Sequence, residues 1–355
     1  MPATDNYDAD EVRGRLEPWL SDRYGAPVRV TALAAPGASG FSSETMLVDC
    51  EVGGTKELLV VRGEPIEFRV FPTYDLESQF RCMQAVRAHS AVPVPNVRWF
   101  ESDRSVLGRH FYVMDRVEGE APPDNIPYTI FGFLYDATPE QQRKLYESSI
   151  RVLADLHAVD VDAAGLRFLD RPDDGPTGLD QQLRYYERYI DYATGGDHHP
   201  ILVSGYEWLR ANQPTGLTEV LSWGDSRLGN ILYRDFEPVA VLDWEMAYLG
   251  PREQDVAWFL YFIRFFSDVL GLPNIPGFPD ESEGIALYQE LTGYQLQHLD
   301  WFFAWAAYRY AVVMVRLLHR PGVAESTPDD WTLHDNPMTR AFAELAGLAA
   351  PTPGP

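Results

Sequence analysis

Trp223-Gly-Asp-Ser-Arg-Leu-Gly-Asn230, followed by Val241-Leu-Asp243-Trp-Glu245, is the stretch on which the reading of this chain turns. It sets a carboxylate at 225, a carboxamide at 230 and a second carboxylate at 243. These residue types suit a magnesium–nucleotide site at which phosphate passes to a hydroxyl. Such a transfer asks little covalent help of a protein and needs alignment, metal and charge neutralisation instead. Asp225 can orient the attacking hydroxyl and accept its proton. Asn230 and Asp243 can hold Mg2+ on the nucleotide phosphates. Taken singly, Asp225 and Asn230 also read as a loop aspartate and a turn asparagine. Asp243 weighs against that reading, because it ends the apolar run 239–242, and carboxylates at strand ends often face a cleft.

Working outward, the 355 residues suffice for two lobes with a substantial core. Apolar residues make up 45% of the chain, so it folds. A formal net charge of −24 argues against a nucleic-acid partner or an anionic membrane surface. The two cysteines, Cys50 and Cys82, sit in apolar, regular segments and read as buried thiols in a reducing, cytoplasmic setting. The acidic N-terminus has no apolar run of a signal peptide, and Arg309 and Arg316 interrupt the most apolar segment, 301–318. The His and Cys residues show no zinc spacing.

The first 115 residues read as a small antiparallel sheet with one inserted helix. A charged amphipathic lead-in helix is expected over 1–25. Strand-like runs lie at 28–33, 45–52, 58–62, 97–100 and 110–115, separated by Gly, Pro and Ser clusters. Helical spacing marks 75–88. Beyond 119 the chain turns helical at 139–158, 178–193, 201–211, 253–270, 281–291, 300–318 and about 338–348, interrupted by a β interlude over 219–243 that carries the acidic trio. The fold class is therefore α+β. An N-terminal β lobe is expected over 1–117 and a larger, mainly helical lobe over 118–349, with a disordered tail at 350–355. The Pro/Gly-rich segment 271–280 reads as a lid or a connector.

The Trp-x-Asp-x-x-x-x-Asn and Asp-Trp-Glu pair resembles the catalytic region of the aminoglycoside phosphotransferase-like family, whose fold is that of protein kinases. The likeness runs from about 28 to 320 and is nearest to the branch related to the kinase-like domain of certain acyl-CoA dehydrogenases. It implies a bilobal fold with nucleotide between the lobes, ATP as donor (GTP stays open), Mg2+, and a small-molecule hydroxyl as acceptor. No obligate protein partner is implied. By position, Asp225 is the catalytic carboxylate, with Arg227 where protein kinases often carry a phosphate-facing lysine. Asn230 and Asp243 are the metal ligands, and Arg62 stands where a lysine usually meets the phosphates. The hinge spans Met114 to Val117, with Met114, Asp115 and Val117 at the adenine. The phosphate-covering loop spans Gly37 to Ser43, with Gly40, Ser42 and Ser43 as contacts. Asp255 matches an aspartate that braces the catalytic loop.

Three positions depart from the family pattern. Trp223 replaces the usual histidine. Arg62 replaces lysine, keeping the charge with a bulkier and differently aimed fork. The helix glutamate that pairs with that lysine falls at Gln79, with Glu77 nearby, which leaves the partner of Arg62 open. These departures keep a nucleotide-binding pseudokinase in play, and a metal-dependent hydrolase using the same carboxylates without ATP is a second rival. Glu245 reads as a second metal contact or a turn cap. His157 reads as a packed histidine, and the stripe of Trp301, Phe302, Trp305 and Tyr308 as core. The acidic composition permits a polycationic acceptor and the many aromatics an apolar one.

Overall fold

The computed structural model describes residues 9–35, 44–124, 126–320, 322–323, 327–328 and 330–352. Helix α1 (Ala9–Tyr24) buries Val12, Leu16 and Leu20, spaced four apart on one face, and ends before Gly25 at φ 65°. Strands β1 (Val28–Ala34), β2 (Glu44–Val52), β3 (Thr55–Gly63), β4 (Val97–Glu101) and β5 (Phe111–Asp115) form one antiparallel sheet in the order β1-β2-β3-β5-β4. Helix α2 (Leu76–His89) is capped by the Asp75 side chain and precedes β4. A single-turn helix α3 (Arg104–Leu107) links β4 to β5.

The two-residue alternation of strands decides where the sheet's side chains go. Leu59, Val61, Phe111 and Val113 share a core with the apolar face of α1. Val60, Tyr112 and Met114 belong to the main core on the opposite face. Arg62, two residues beyond Val60 and paired in register with Tyr112, is carried on that second face toward the helical lobe.

The helical lobe contains α4 (Pro139–His157), α5 (Gly178–Thr194), α6 (Pro200–Ala211), α7 (Arg252–Arg264), α8 (Glu281–Thr292), α9 (Leu299–Leu318) and α10 (Pro337–Leu345). Thr138 and Gln141 close a capping box on α4. The predicted helix over 253–270 is one helix only to Arg264, after which Phe265–Val269 widens into a π turn. The stripe on α9 is core. Trp301, Phe302, Trp305 and Tyr308 are buried, and Trp305 Nε1 donates to Gln254 at 2.8 Å. The segment 271–280 is pinned to α4, with the Gly277 amide donating to Gln142 Oε1 at 2.9 Å. No helix of the described residues is long and apolar enough to cross a membrane.

The β interlude is a nested pair of hairpins. Strand β6 (Glu219–Ser222) pairs with β9 (Tyr248–Pro251), and β7 (Ile231–Arg234) with β8 (Glu237–Val241). Such nesting puts the β6–β7 and β8–β9 connections side by side at one end. The first carries Asp225 and Asn230, and the second carries Asp243.

Candidate active site

Gly224 makes the turn that presents Asp225. It sits at φ +88°, and a Cβ there would lie 2.0 Å from the Met246 carbonyl oxygen, so glycine is required on both counts. The loop that carries Asp225 is held from behind by Asp255 of α7, which has no solvent exposure. Its Oδ1 accepts from Ser222 Oγ at 2.8 Å and from the Gly224 amide at 2.9 Å. Its Oδ2 accepts from the Trp223 amide at 2.7 Å and meets His157 Nε2 at 3.1 Å. His157 Nδ1 lies 2.7 Å from the Tyr288 hydroxyl, so the histidine is a structural link inside the lobe.

Asp225 is 8% exposed and Asn230 6%. Asn230 Nδ2 donates to Asp225 Oδ2 at 2.6 Å, and the Asn230 carbonyl accepts from the Leu242 amide at 2.8 Å. The three residues singled out by the sequence are thus brought together: Asn230 touches Asp225 by its side chain and the residue before Asp243 by its backbone. Asp243 has φ 61° and ψ 65°. That left-handed conformation is strained for a residue with a side chain, and such strain concentrates at functional sites. Trp223 helps to hold it. Its indole N–H donates to the carbonyls of Leu242 at 2.9 Å and Asp243 at 3.2 Å. The tryptophan at the histidine position therefore ties the two connections together as well as filling space. Trp223→Phe keeps an aromatic ring but loses these bonds and leaves part of a fully buried site unfilled, and should cost at least about 1–3 kcal/mol in a denaturant titration.

Arg62 reaches across from β3. Its Nη2 pairs with Asp243 Oδ1 and lies 3.9 Å from Glu245 Oε2. Burial opposes the guanidinium charge, but Asp243, with Tyr112 and Glu245 nearby, holds the Arg62 pKa above its ordinary value. The partners of Arg62 are therefore Asp243 and Glu245. Gln79 is buried, its Oε1 has no partner among the described residues, and Glu77 is exposed.

Arg227 bridges two carboxylates. Its Nε lies 3.2 Å from Asp225 Oδ1 and 3.1 Å from Oδ2, and its Nη1 pairs with Asp124. Desolvation works against the charge on Arg227, and Asp225 and Asp124 outweigh it, raising its pKa. Asp124 lies in the segment between β5 and α4, and nothing in its local sequence marks it. Desolvation pushes its carboxyl above the usual range, opposed by Arg227 and reinforced by Asp225. Trp258 of α7 also touches Asp225, with Nε1 donating to Oδ1 at 2.9 Å. It reads in sequence as one more apolar helix position.

At the hinge, the Asp115 carboxylate accepts from Arg98 Nε at 2.5 Å and Asn96 Nδ2 at 3.0 Å, and its amide donates to the Asn96 carbonyl at 2.9 Å. The side chain and N–H of Asp115 are thus engaged within the sheet. Met114 is buried beside Val60, and Val117 is half-buried. Gly37, Gly40, Ser42 and Ser43 lie outside the described residues.

The donor set for a metal is oxygen only. No group of three or more His, Cys, Asp or Glu residues among those described could hold a metal by itself. Asn230 and Asp243 could supply two oxygen ligands, a set that would suit Mg2+ completed by phosphate oxygens and water.

The model of the family described as Phosphotransferase enzyme family matches residues 35–275. Probable acyl-CoA dehydrogenase IBR3 of Arabidopsis thaliana is 30% identical over 228 residues, covering 62% of this chain and 26% of that protein. Acyl-CoA dehydrogenase family member 11 of Homo sapiens is 25% identical over 341 residues, covering 93% of this chain and 41% of that protein. The chain thus spans about a quarter to two fifths of the length of these curated relatives. Among solved structures, a Ralstonia eutropha JMP134 protein assigned to the aminoglycoside phosphotransferases superposes with a TM-score of 0.67 at 24% identity, covering 94% of this chain and 98% of that one. The streptomycin–ATP–APH(2")-IIa ternary complex superposes with a TM-score of 0.54 at 15% identity, covering 87% of this chain and 90% of that one. These likenesses establish the bilobal, kinase-like fold.

Proposed function

This chain belongs to the phosphotransferase enzyme family, and from that premise we propose that it moves the γ-phosphate of ATP to a hydroxyl of a small molecule. The observation that carries the reading is the hydrogen bond from Asn230 to Asp225, with the Asn230 carbonyl held by Leu242, the residue before the strained Asp243, and the Arg62 guanidinium on Asp243. In this reading Asp225 aligns the acceptor hydroxyl and takes its proton late, so position counts for more than base strength. Asn230 and Asp243 hold Mg2+, which when bound neutralises charge on the β- and γ-phosphates. Arg62 transfers its interaction from Asp243 toward the phosphates, and its bidentate fork suits that task.

Arg62→Ala removes that cation and leaves Asp243 and Glu245 facing the incoming phosphates. Nucleotide affinity measured by calorimetry should fall roughly 10–100-fold, the worth of one charge-assisted contact. Unchanged affinity would remove Arg62 from the phosphate site.

The reading is tested by a coupled ADP-release screen over aminoglycosides, amino alcohols, sugars and hydroxyacyl thioesters, with Asp225→Asn protein as the blank. Acceptor-dependent ADP release above the blank supports it. Buried Gln79, which brings no charge to Arg62, favours the second reading, a nucleotide-holding module without turnover. A Mg2+-dependent thermal shift with ATP, and no ADP release across the whole panel, would select it.

A further inference from the structure

Arg309 of α9 is fully buried. Its Nε donates to the Tyr186 hydroxyl at 3.3 Å and its Nη2 to the Gly224 carbonyl at 2.8 Å, while Nη1 has no partner among the described residues. Both acceptors are neutral. Burying a guanidinium without a carboxylate against it is costly, so the fold must answer that charge in another way.

The answer lies on the face of Trp258. The guanidinium carbon sits 4.2 Å from the Trp258 ring centroid, with the rings of Tyr186 at 5.7 Å and Trp305 at 6.0 Å. The Trp258 N–H donates to Asp225 Oδ1 at 2.9 Å. One indole therefore carries a cation on its π face and an anion at its N–H. A cation over the ring is attracted to it and draws electron density from it, which strengthens the N–H as a donor. The same guanidinium holds the carbonyl of Gly224, the residue that turns the chain into Asp225.

We propose that Arg309 and Trp258 act together as positioning residues for Asp225. The buried cation polarises the indole, the indole N–H fixes Oδ1, and the Gly224 bond fixes the backbone beneath it. Arg309 does not touch the Asp225 carboxylate, and Trp258 touches only that carboxylate, as a donor that orients it. The kinetic half of this inference rests on the phosphotransfer reading, and the spectroscopic half does not.

The test uses the full chain with its tryptophans labelled at the indole nitrogen. Trp258→Phe assigns the Trp258 N–H resonance by its disappearance. Asp225→Ala and Arg309→Gln should each move that resonance upfield and speed its hydrogen exchange. Arg309→Lys, which keeps the charge, should restore part of the shift. A resonance indifferent to both Asp225→Ala and Arg309→Gln overturns the proposal. In turnover, Trp258→Phe and Arg309→Gln should each lower kcat about tenfold, the worth of one hydrogen bond to a charged group, with nucleotide KM within about twofold. The double variant should be little worse than the worse single one, because both act through one bond. Nucleotide KM rising in step with the fall in kcat, or losses that simply multiply, also overturns it. If Arg309→Gln does not fold, the Asp225→Ala shift and the kcat-against-KM split of Trp258→Phe decide. Wild-type protein without turnover on any acceptor removes the phosphotransfer reading, and the resonance then decides the pairing alone.

Discussion

Asp225→Asn protein should bind Mg2+–nucleotide close to wild-type affinity and turn over at least about 10³-fold more slowly, the upper part of the range for a positioned general base. Shape is nearly conserved by this change and acceptor capacity is not. The wild-type carboxylate accepts from Trp258 at Oδ1, from Asn230 at Oδ2, and from Arg227 Nε at both oxygens. A carboxamide offers one oxygen and two donors. Whichever way it turns, an N–H2 group faces an existing donor, either the Trp258 indole or the Asn230 amide. The substituted side chain can therefore neither take a proton from the acceptor nor hold the wild-type orientation. Arg62 and Asp243 are not bonded to Asp225, which is why nucleotide affinity should survive. Calorimetric titration with Mg2+–ATP and coupled ADP release separate the two effects. Undiminished turnover would take Asp225 out of the mechanism, and lost nucleotide affinity would show that the substitution disturbs Asn230 as well.

What could be read from the chain followed the range of the interactions involved. Strand alternation and turn residues are local, so the sheet strands came within a few residues of their ends, and with them the face that carries Arg62. The meeting of Asp225, Asn230 and Asp243 was legible from their residue types and the family resemblance, and the structure supplies the reason, two nested hairpins that bring their connections together. The partner of Arg62 was not legible. The family resemblance pointed to α2, where Gln79 and Glu77 lie, whereas the carboxylates come from Asp243 and Glu245. Asp124, Trp258 and Arg309 were missed for the same reason. Each meets the catalytic loop from a distant element, and each looks locally like a loop aspartate, an apolar helix position or an interruption in a hydrophobic run. Trp223 stands in sequence only as a replacement for the usual histidine. Its bonds to the Leu242 and Asp243 carbonyls depend on a loop that no local pattern describes. The π turn after Arg264 likewise interrupts a segment whose apolar spacing gave no sign of it.

The second large effect is expected away from the chemistry, at Asp255. With no exposure, its carboxylate accepts from Ser222 Oγ, the amides of Trp223 and Gly224, and His157 Nε2, and its carbonyl accepts from Ser226 Oγ at 2.7 Å. Asp255→Ala leaves the backbone bond and removes the acceptor for all the others. Two buried amide N–H groups, a hydroxyl and an imidazole N–H then lack partners, unless water enters the space vacated. An orphaned buried donor costs about 1–3 kcal/mol, and relaxation makes such losses less than additive, so roughly 3–5 kcal/mol is expected in total. For a chain of 355 residues the unfolding entropy is large, so that loss should lower the melting temperature by only about 4–7 °C. Turnover should fall as well, because the freed amides are those of Trp223 and Gly224, which lead directly into Asp225. Asp255→Asn keeps one oxygen and should lose about half as much stability. The contrast with Asp225→Asn is diagnostic: there catalysis collapses while nucleotide affinity survives, and here melting falls together with catalysis. An Asp255→Ala protein that melts with the wild type would mean that the catalytic loop holds its shape without the aspartate beneath it.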